Sequence, residues 1–249
     1  MRLKDKQAVV TGGAGGIGRS IVSGFIREGA SVAIVDNNKV LIEKAEKEKL
    51  PRQGRSFFVS ADVSDSLEVT KMVKQVIRRL NKIDILVNCA GIYEYSPMLD
   101  MSDEEWDKTL RVNLYSYFYC SRAVGAYMKE QKTGSIINLS SIAGMKAASM
   151  GHSHYGTSKA GIIGFTRAVA AELGPFGIRA NCICPGLTEG TPMGSSAQNA
   201  FGEEYLKHVP LGRFAIPQDI ASAAIYLASE ESNYITGACL NITGGMHMD

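Results

Sequence analysis

Tyr155-Gly-Thr-Ser-Lys159 places a phenol and an ammonium four residues apart, the spacing in this chain that most directly suggests chemistry. Residues at i and i+4 share one face of a helix. The lysine can therefore favour the tyrosinate and make a phenol of ordinary pKa ~10 available for proton transfer near neutrality. Lowering it by about three units corresponds to about 4 kcal/mol. A second candidate lies near the N-terminus, where Thr11-Gly-Gly-Ala-Gly-Gly-Ile-Gly18 stands between a β-branched run and the start of a helix. Glycines allow close backbone approach, and a helix N-terminus offers unpaired N–H groups and partial positive charge, so the turn suits a pyrophosphate. Gly13, Gly15 and Gly18 satisfy G-x-G-x-x-G, whereas Thr11, Gly12, Gly16 and Gly18 satisfy T-G-x-x-x-G-x-G. Twenty residues beyond Gly16 stands Asp36, an acid able to accept hydrogen bonds from ribose hydroxyls and to repel a 2′-phosphate. No basic residue compensates at Val35, Asn37 or Gly15, so NAD is expected rather than NADP.

These groups need a scaffold that brings distant segments together. Seven short β-branched runs recur along the chain: Ala8–Val10, Ser31–Val35, Ser56–Val59, Ile83–Val87, Ser135–Leu139, Ile178–Ile183 and Ala238–Ile242. Helical stretches separate nearly all of them. The fold class expected is therefore α/β, a doubly wound Rossmann fold with a seven-stranded parallel sheet and helices on both faces. Ser102-Asp-Glu-Glu105 is a capping box that opens a long helix through Trp106, Leu110, Leu114 and Phe118, and Gly29 closes the first helix. From Pro185 to about Pro210 the chain is rich in Gly, Ser, Thr and Pro without a sustained period, which predicts a long excursion over the sheet, residues 187–210 forming a substrate loop. No repeat or linker divides the chain, so residues 1–249 are expected to form one domain.

Bulk composition narrows the function classes. The chain has 249 residues, 45% hydrophobic and 21% charged, enough to bury a large core. The net charge of +2 is scattered, without a Lys/Arg block, and the N-terminal residues hold no apolar run of signal or membrane-spanning length. Neither nucleic acid nor membrane is expected as a partner, and the expected location is cytoplasmic. Among five cysteines, Cys182 and Cys184 would point to one strand face, but no zinc-type spacing results. All five are expected as reduced thiols packed as small apolar groups, with no metal.

The motifs together resemble the short-chain dehydrogenase/reductase family, in its single-domain form, over nearly the whole chain. The resemblance selects the T-G-x-x-x-G-x-G register, with Gly12, Gly16, Ile17 and Gly18 at the cofactor, and Asp62-Val63 is similar to the family's adenine-contacting pair. Asn88-Cys-Ala-Gly91 resembles the family's N-N-A-G, with Cys89 in place of the second Asn; Asn88, Ala90 and Gly91 keep their cofactor-side roles. Pro185-Gly186 follows the sixth run, with Leu187 and Thr188 where the family meets the carboxamide. The resemblance implies a catalytic set of Asn113, Ser141, Tyr155 and Lys159: Tyr155 as general acid/base, Ser141 on the substrate oxygen, Lys159 tuning Tyr155 and holding the nicotinamide ribose, Asn113 anchoring a water relay. Ser140 is the competing serine.

The activity implied is hydride transfer between NAD(H) and a small secondary alcohol or ketone. The alternative is an NADPH-dependent reductase of the 3-oxoacyl-carrier-protein type. A non-catalytic NAD-binding sensor or scaffold is the alternative of another class. Pocket walls are expected from loops past the strand ends, with Tyr93, Tyr95, Met145, Met150, His152, His154 and Met193 as lining candidates. The small residues Ala160, Gly161, Gly164, Ala168 and Ala171 on the Tyr155 helix allow a close helix approach, and the family habit implies a homotetramer.

Overall fold

The computed structural model describes residues 1–47 and 56–248, with the side chains of Pro192 and residues 196–201 left aside. All seven expected runs form strands of one parallel sheet: β1 Gln7–Thr11, β2 Ser31–Asp36, β3 Ser56–Ser60, β4 Ile85–Asn88, β5 Gly134–Leu139, β6 Ile178–Pro185 and β7 Cys239–Ile242. Their order is β3-β2-β1-β4-β5-β6-β7. The direction of winding reverses between β1 and β4, and in such sheets ligands bind outside the strand carboxyl ends at that crevice. The carboxyl ends of β1, β4 and β5 run into Thr11, Asn88 and Leu139, so each motif of the sequence emerges on the same edge of the sheet.

The β-branched strands are covered on both faces, as a parallel sheet requires. One core joins Val10, Ile34 and Val87 of the sheet to Ile21 and Phe25 of helix α1 (Gly16–Arg27) and to Ile220 and Ala224 of α8 (Pro217–Ala228). The other joins Val9, Val35 and Leu86 to Val69 and Val73 of α3 (Ser66–Leu80) and to Cys120 and Val124 of α5 (Ser116–Gln131). Helix α2 (Lys39–Lys47) follows β2, and α4 (Asp103–Leu110) opens with the capping box of Ser102 and Glu105. A π-helical turn, Arg111–Tyr115, joins α4 to α5 and places the buried Asn113 at its centre. Helix α6 (Ser153–Leu173) carries Tyr155 and Lys159.

The segment after Pro185 differs from the expected irregular excursion, since it contains a helix, α7 (Pro192–Leu206). Thr191 caps it by accepting from the N–H of Gly194 at 2.9 Å, and Pro192 occupies the first helical position where its missing N–H costs nothing. Among the described residues, no helix is long and apolar enough to cross a membrane.

Candidate active site

The glycine turn is shaped for close backbone packing. Gly12 adopts φ +65°, and a Cβ there would lie 2.9 Å from the backbone of Ala90. At Gly18 a Cβ would lie 2.1 Å from the carbonyl oxygen of Gly12, so this helix can start against the turn only without a side chain. Gly15 caps α1 with extended backbone and no side-chain hydrogen bond, which leaves the first N–H groups of the helix for an anion. Gly18 belongs to both glycine registers, and a Cβ at Gly13 would likewise lie 2.9 Å from the Ile34 side chain. Thr11 ties the turn to the neighbouring strand by accepting from the N–H groups of Cys89 at 3.0 Å and Ala90 at 3.3 Å. Cys89, which offers no amide, is partly buried, and desolvation pushes its thiol up to about 12.

Asp36 stands half-buried at the end of β2. Its carboxylate accepts from Ala14 N–H at 3.1 Å and Asn38 N–H at 3.0 Å, which holds it beside the glycine turn. Asp62 is turned back on its own loop, accepting from the backbone and hydroxyl of Ser64 at 2.9 and 2.7 Å, while Val63 is buried. Asn88 points into the sheet interior, donating to Asn138 at 2.8 Å and to Ser121 at 3.1 Å. A chain of buried amides and hydroxyls thus braces β4 against β5, and it continues from Asn138 to Thr166 of α6 at 2.9 Å.

The proton-transfer groups converge beneath this edge. Lys159 is buried and donates to the carbonyl of Leu139 at 2.9 Å, the oxygen that also accepts the hydroxyl of Tyr117 at 2.9 Å. Its ammonium lies 5.6 Å from the centroid of the Tyr155 ring, so both groups occupy one side of α6 as the i, i+4 spacing requires. Burial lowers Lys159 to about 8. Asn113 grips the backbone of Ile92 from both sides, accepting its N–H at 2.8 Å and donating to its carbonyl at 3.0 Å, and donates to Ser158 at 3.2 Å. Gly91 leaves the space between them open: a Cβ there would stand 3.2 Å from the Asn113 oxygen and 3.7 Å from the Lys159 nitrogen.

The two serines separate cleanly. Ser140 is buried and donates to the carbonyl of Lys159 at 2.7 Å, a structural bond. Ser141 is more open, accepts from the N–H of Ala143 at 3.1 Å and lines the cleft with Tyr155. Among the chain's own groups, burial raises the Tyr155 phenol to about 12, and the nearby Ser141 hydroxyl, which lowers it, does not offset this. The i, i+4 argument weighed the cation and omitted desolvation, which disfavours the charged phenolate. Protein groups therefore hold Tyr155 as a proton donor across the neutral range. A wild-type minus Tyr155→Phe ultraviolet difference spectrum is expected to show no tyrosinate band between pH 7 and pH 9, because the folded pKa is raised to about 12 and not lowered. A band titrating within that window would reverse the assignment.

A cleft of about 360 Å³ opens over Ser141 and Tyr155, walled by Ile17, Tyr93, Lys146, Ser149, His152, Pro185, Leu187, Met193 and Tyr205. Tyr93 stacks on His152 with centroids 4.1 Å apart and meets Tyr155 edge-on at 4.9 Å. Burial lowers the His152 pKa, and its Nδ1 lies 2.9 Å from the Met150 carbonyl, so the neutral ring carries its proton there. Of the other expected lining residues, Met193 lines the cleft and four do not. Tyr95 and Met150 are exposed outside it, Met145 packs beside the cluster of Tyr117, Ile162 and Cys182, and His154 is fully buried with neither ring nitrogen hydrogen-bonded. The composition of a loop alone does not tell which of its residues face the cleft.

Residues missed by the sequence reading are Ser149 and Tyr205. The hydroxyl of Tyr205 accepts the N–H of Leu187 at 2.7 Å and so ties α7 to the end of β6, while Thr188 donates to the carbonyl of Gly186 at 3.1 Å. The threonine cap and proline before α7 could have signalled that a helix, and with it Tyr205, returns to this wall.

The protein family described as enoyl-(acyl carrier protein) reductase matches residues 12–247. The chain belongs to the short-chain dehydrogenase/reductase family. It is 42% identical over 245 residues to the 3-oxoacyl-[acyl-carrier-protein] reductase FabG of Chlamydia trachomatis, covering 98% of each chain. It is 37% identical over 245 residues to the (2S)-[(R)-hydroxy(phenyl)methyl]succinyl-CoA dehydrogenase subunit BbsD of Thauera aromatica, again covering 98% of each. The structure of an NAD+-bound xylitol dehydrogenase superposes with a TM-score of 0.91 at 30% identity, covering 98% of this chain and 100% of that one. As a short-chain dehydrogenase/reductase the chain is an oxidoreductase acting at hydroxyl or keto carbons with a nicotinamide cofactor. Of the readings drawn from the sequence, these relatives match the 3-oxoacyl alternative better than the small secondary alcohol.

Proposed function

We propose that this short-chain dehydrogenase/reductase is a ketoreductase acting on 3-oxoacyl thioesters with NADH. The observation that carries the reading is the convergence of Ser141 and Tyr155 on one cleft, with Lys159 on the same side of α6 as the Tyr155 ring. The glycine turn, the free N–H groups of α1 and the carboxylate of Asp36 fit a dinucleotide, whose nicotinamide supplies the hydride when bound. Gly12, Gly16, Ile17, Gly18 and Asp36 would hold it at one end, with Asp62, Val63, Ala90, Gly91, Pro185, Gly186, Leu187 and Thr188 along its course.

The chain's own groups divide the remaining work. Ser141 orients the substrate keto oxygen toward the Tyr155 hydroxyl, and Tyr155 donates its proton as charge develops on that oxygen. Lys159 holds a positive charge beside the resulting phenolate and lessens the cost of forming it. Asn113 fixes the Ile92 loop and Ser158, and so the depth at which Lys159 sits. Tyr93 and His152 give the cleft an aromatic wall suited to the carbon beyond the keto group. NADH is favoured because Asp36 has no basic neighbour at Val35, Asn37 or Gly15 to accept a 2′-phosphate. The named substrates of two relatives, an acyl-carrier-protein thioester and an acyl-CoA, support the thioester class.

A two-fold assembly leading to a homotetramer belongs to the same reading. Tyr115 and Phe118 are exposed beside Phe165, and nothing within 4 Å fills the space over Gly164. The deciding experiment for the function is a steady-state comparison with acetoacetyl-CoA as the keto substrate. NADH oxidation is expected to exceed that of NADPH in kcat/KM, and a simple ketone such as cyclohexanone is expected to be reduced less well. Faster turnover of the simple ketone would return the small-alcohol reading, and faster turnover with NADPH would remove Asp36 as the determinant.

A further inference from the structure

Three of the five cysteines meet at one point that no spacing in the sequence reveals. Cys182 and Cys184 point to the same face of β6, with sulfurs 3.8 Å apart, and the parallel register sets Cys239 of β7 directly beside Cys182. The three sulfurs all lie within 4.8 Å of one another. Cys182 and Cys184 are fully buried under Ile162, Ile163 and Tyr117, while Cys239 is partly open. Arg167, an exposed residue of α6, lies near enough to act electrostatically on the Cys239 sulfur.

We propose that Cys182, Cys184 and Cys239 bind one Zn(II) ion through three thiolates, with a fourth position left open on the side of Cys239 and Arg167. The geometry is close to what the metal needs. A Zn–S bond of about 2.3 Å places sulfurs about 3.8 Å apart in a tetrahedral shell. The Cys182–Cys184 separation of 3.8 Å already meets this, and the widest pair, at no more than 4.8 Å, closes by a small rotation of the half-exposed Cys239 side chain. Thiolate softness selects zinc or monovalent copper over harder ions. Charge separates those two: three thiolates with Zn(II) leave one negative charge, which Arg167 matches, whereas with Cu(I) they leave two in a largely apolar setting.

Binding exchanges S–H bonds for Zn–S bonds, and the displaced protons pass to solvent without any change of oxidation state. An ordinary thiol, with a pKa of ~8.5, is mostly protonated at pH 7, so ligation by three cysteines releases protons to solvent.

The test uses the full-length reduced protein with Co(II) as a spectroscopic substitute for Zn(II). One equivalent of Co(II) is expected to bind with intense thiolate-to-cobalt charge-transfer absorption, which Zn(II) then removes. Cys239→Ser is expected to lose that absorption and to weaken binding by more than the roughly 10–100-fold typical of losing an outer-sphere partner, whereas Cys120→Ala leaves both unchanged. In wild-type protein at pH 7 in weak buffer, Zn(II) is expected to release at least two protons per ion, a measurement that needs no variant to fold. Cobalt absorption without thiolate character, absorption that survives Cys239→Ser, or release of fewer than two protons would each overturn the proposal.

Discussion

Tyr155→Phe is expected to lower kcat for ketone reduction by about 10²–10⁴-fold, the contribution typical of a positioned general acid, with KM little changed. Phenylalanine keeps the ring that meets Tyr93 edge-on at 4.9 Å, and only the hydroxyl that shares the cleft with Ser141 is removed. The fold should therefore persist, which thermal unfolding of the variant checks. Single-turnover reduction of acetoacetyl-CoA with pre-bound NADH separates chemistry from product release. A variant that keeps its single-turnover rate within about tenfold of wild type would show that the proton comes from another group, because such a loss is below the range for general acids.

The second large effect concerns the nucleotide. Asp36→Asn removes the charge while keeping an amide oxygen for one of the N–H groups of Ala14 and Asn38. Juxtaposed like charges cost several kcal/mol, and a partly solvated 2′-phosphate takes the lower end of that cost, so the NADH to NADPH ratio of kcat/KM is expected to fall about 10²-fold. Most of the change should appear as a lower KM for NADPH, since the carboxylate is remote from Tyr155. High salt should shrink the wild-type preference in the same direction, because Asp36 is only half-buried and its field is screened. A ratio unchanged by the substitution would mean that the discrimination is made elsewhere in the cleft.

The parts of this protein legible in its sequence are those set by local periodicity and by backbone demands. The β-branched runs gave the strands, and the connecting helices gave their parallel direction. Gly12 and Gly18 could be read because no side chain fits where the turn meets Ala90 and where α1 meets Gly12. Helix α7 escaped because its composition resembles a loop, although Thr191-Pro192 carried a start signal. The spacing of Tyr155 and Lys159 shows that they share one side of α6, whereas the desolvation that raises the phenol depends on what packs above the helix. His154 and Met145 were drawn into the cleft by their neighbours in sequence, yet the first turn of α6 buries His154, and Met145, at the end of the short turn Ile142–Gly144, packs beside the Tyr117 cluster. The meeting of Cys239 with Cys182 depends on sheet register across 57 residues, which no local spacing encodes.

The π turn at Arg111–Tyr115 works as a shim in an otherwise regular rod. One added residue per turn rotates the following helix relative to the preceding one, so a single helical rod can bury Thr109 in α4 and Tyr117 in α5 while aiming Asn113 sideways at Ile92. Removing the shim would re-time every contact of α5 with the sheet to correct one amide. The wide turn therefore resists loss by small steps, and the position of the Lys159 ammonium is protected by the cost of realigning a whole helix.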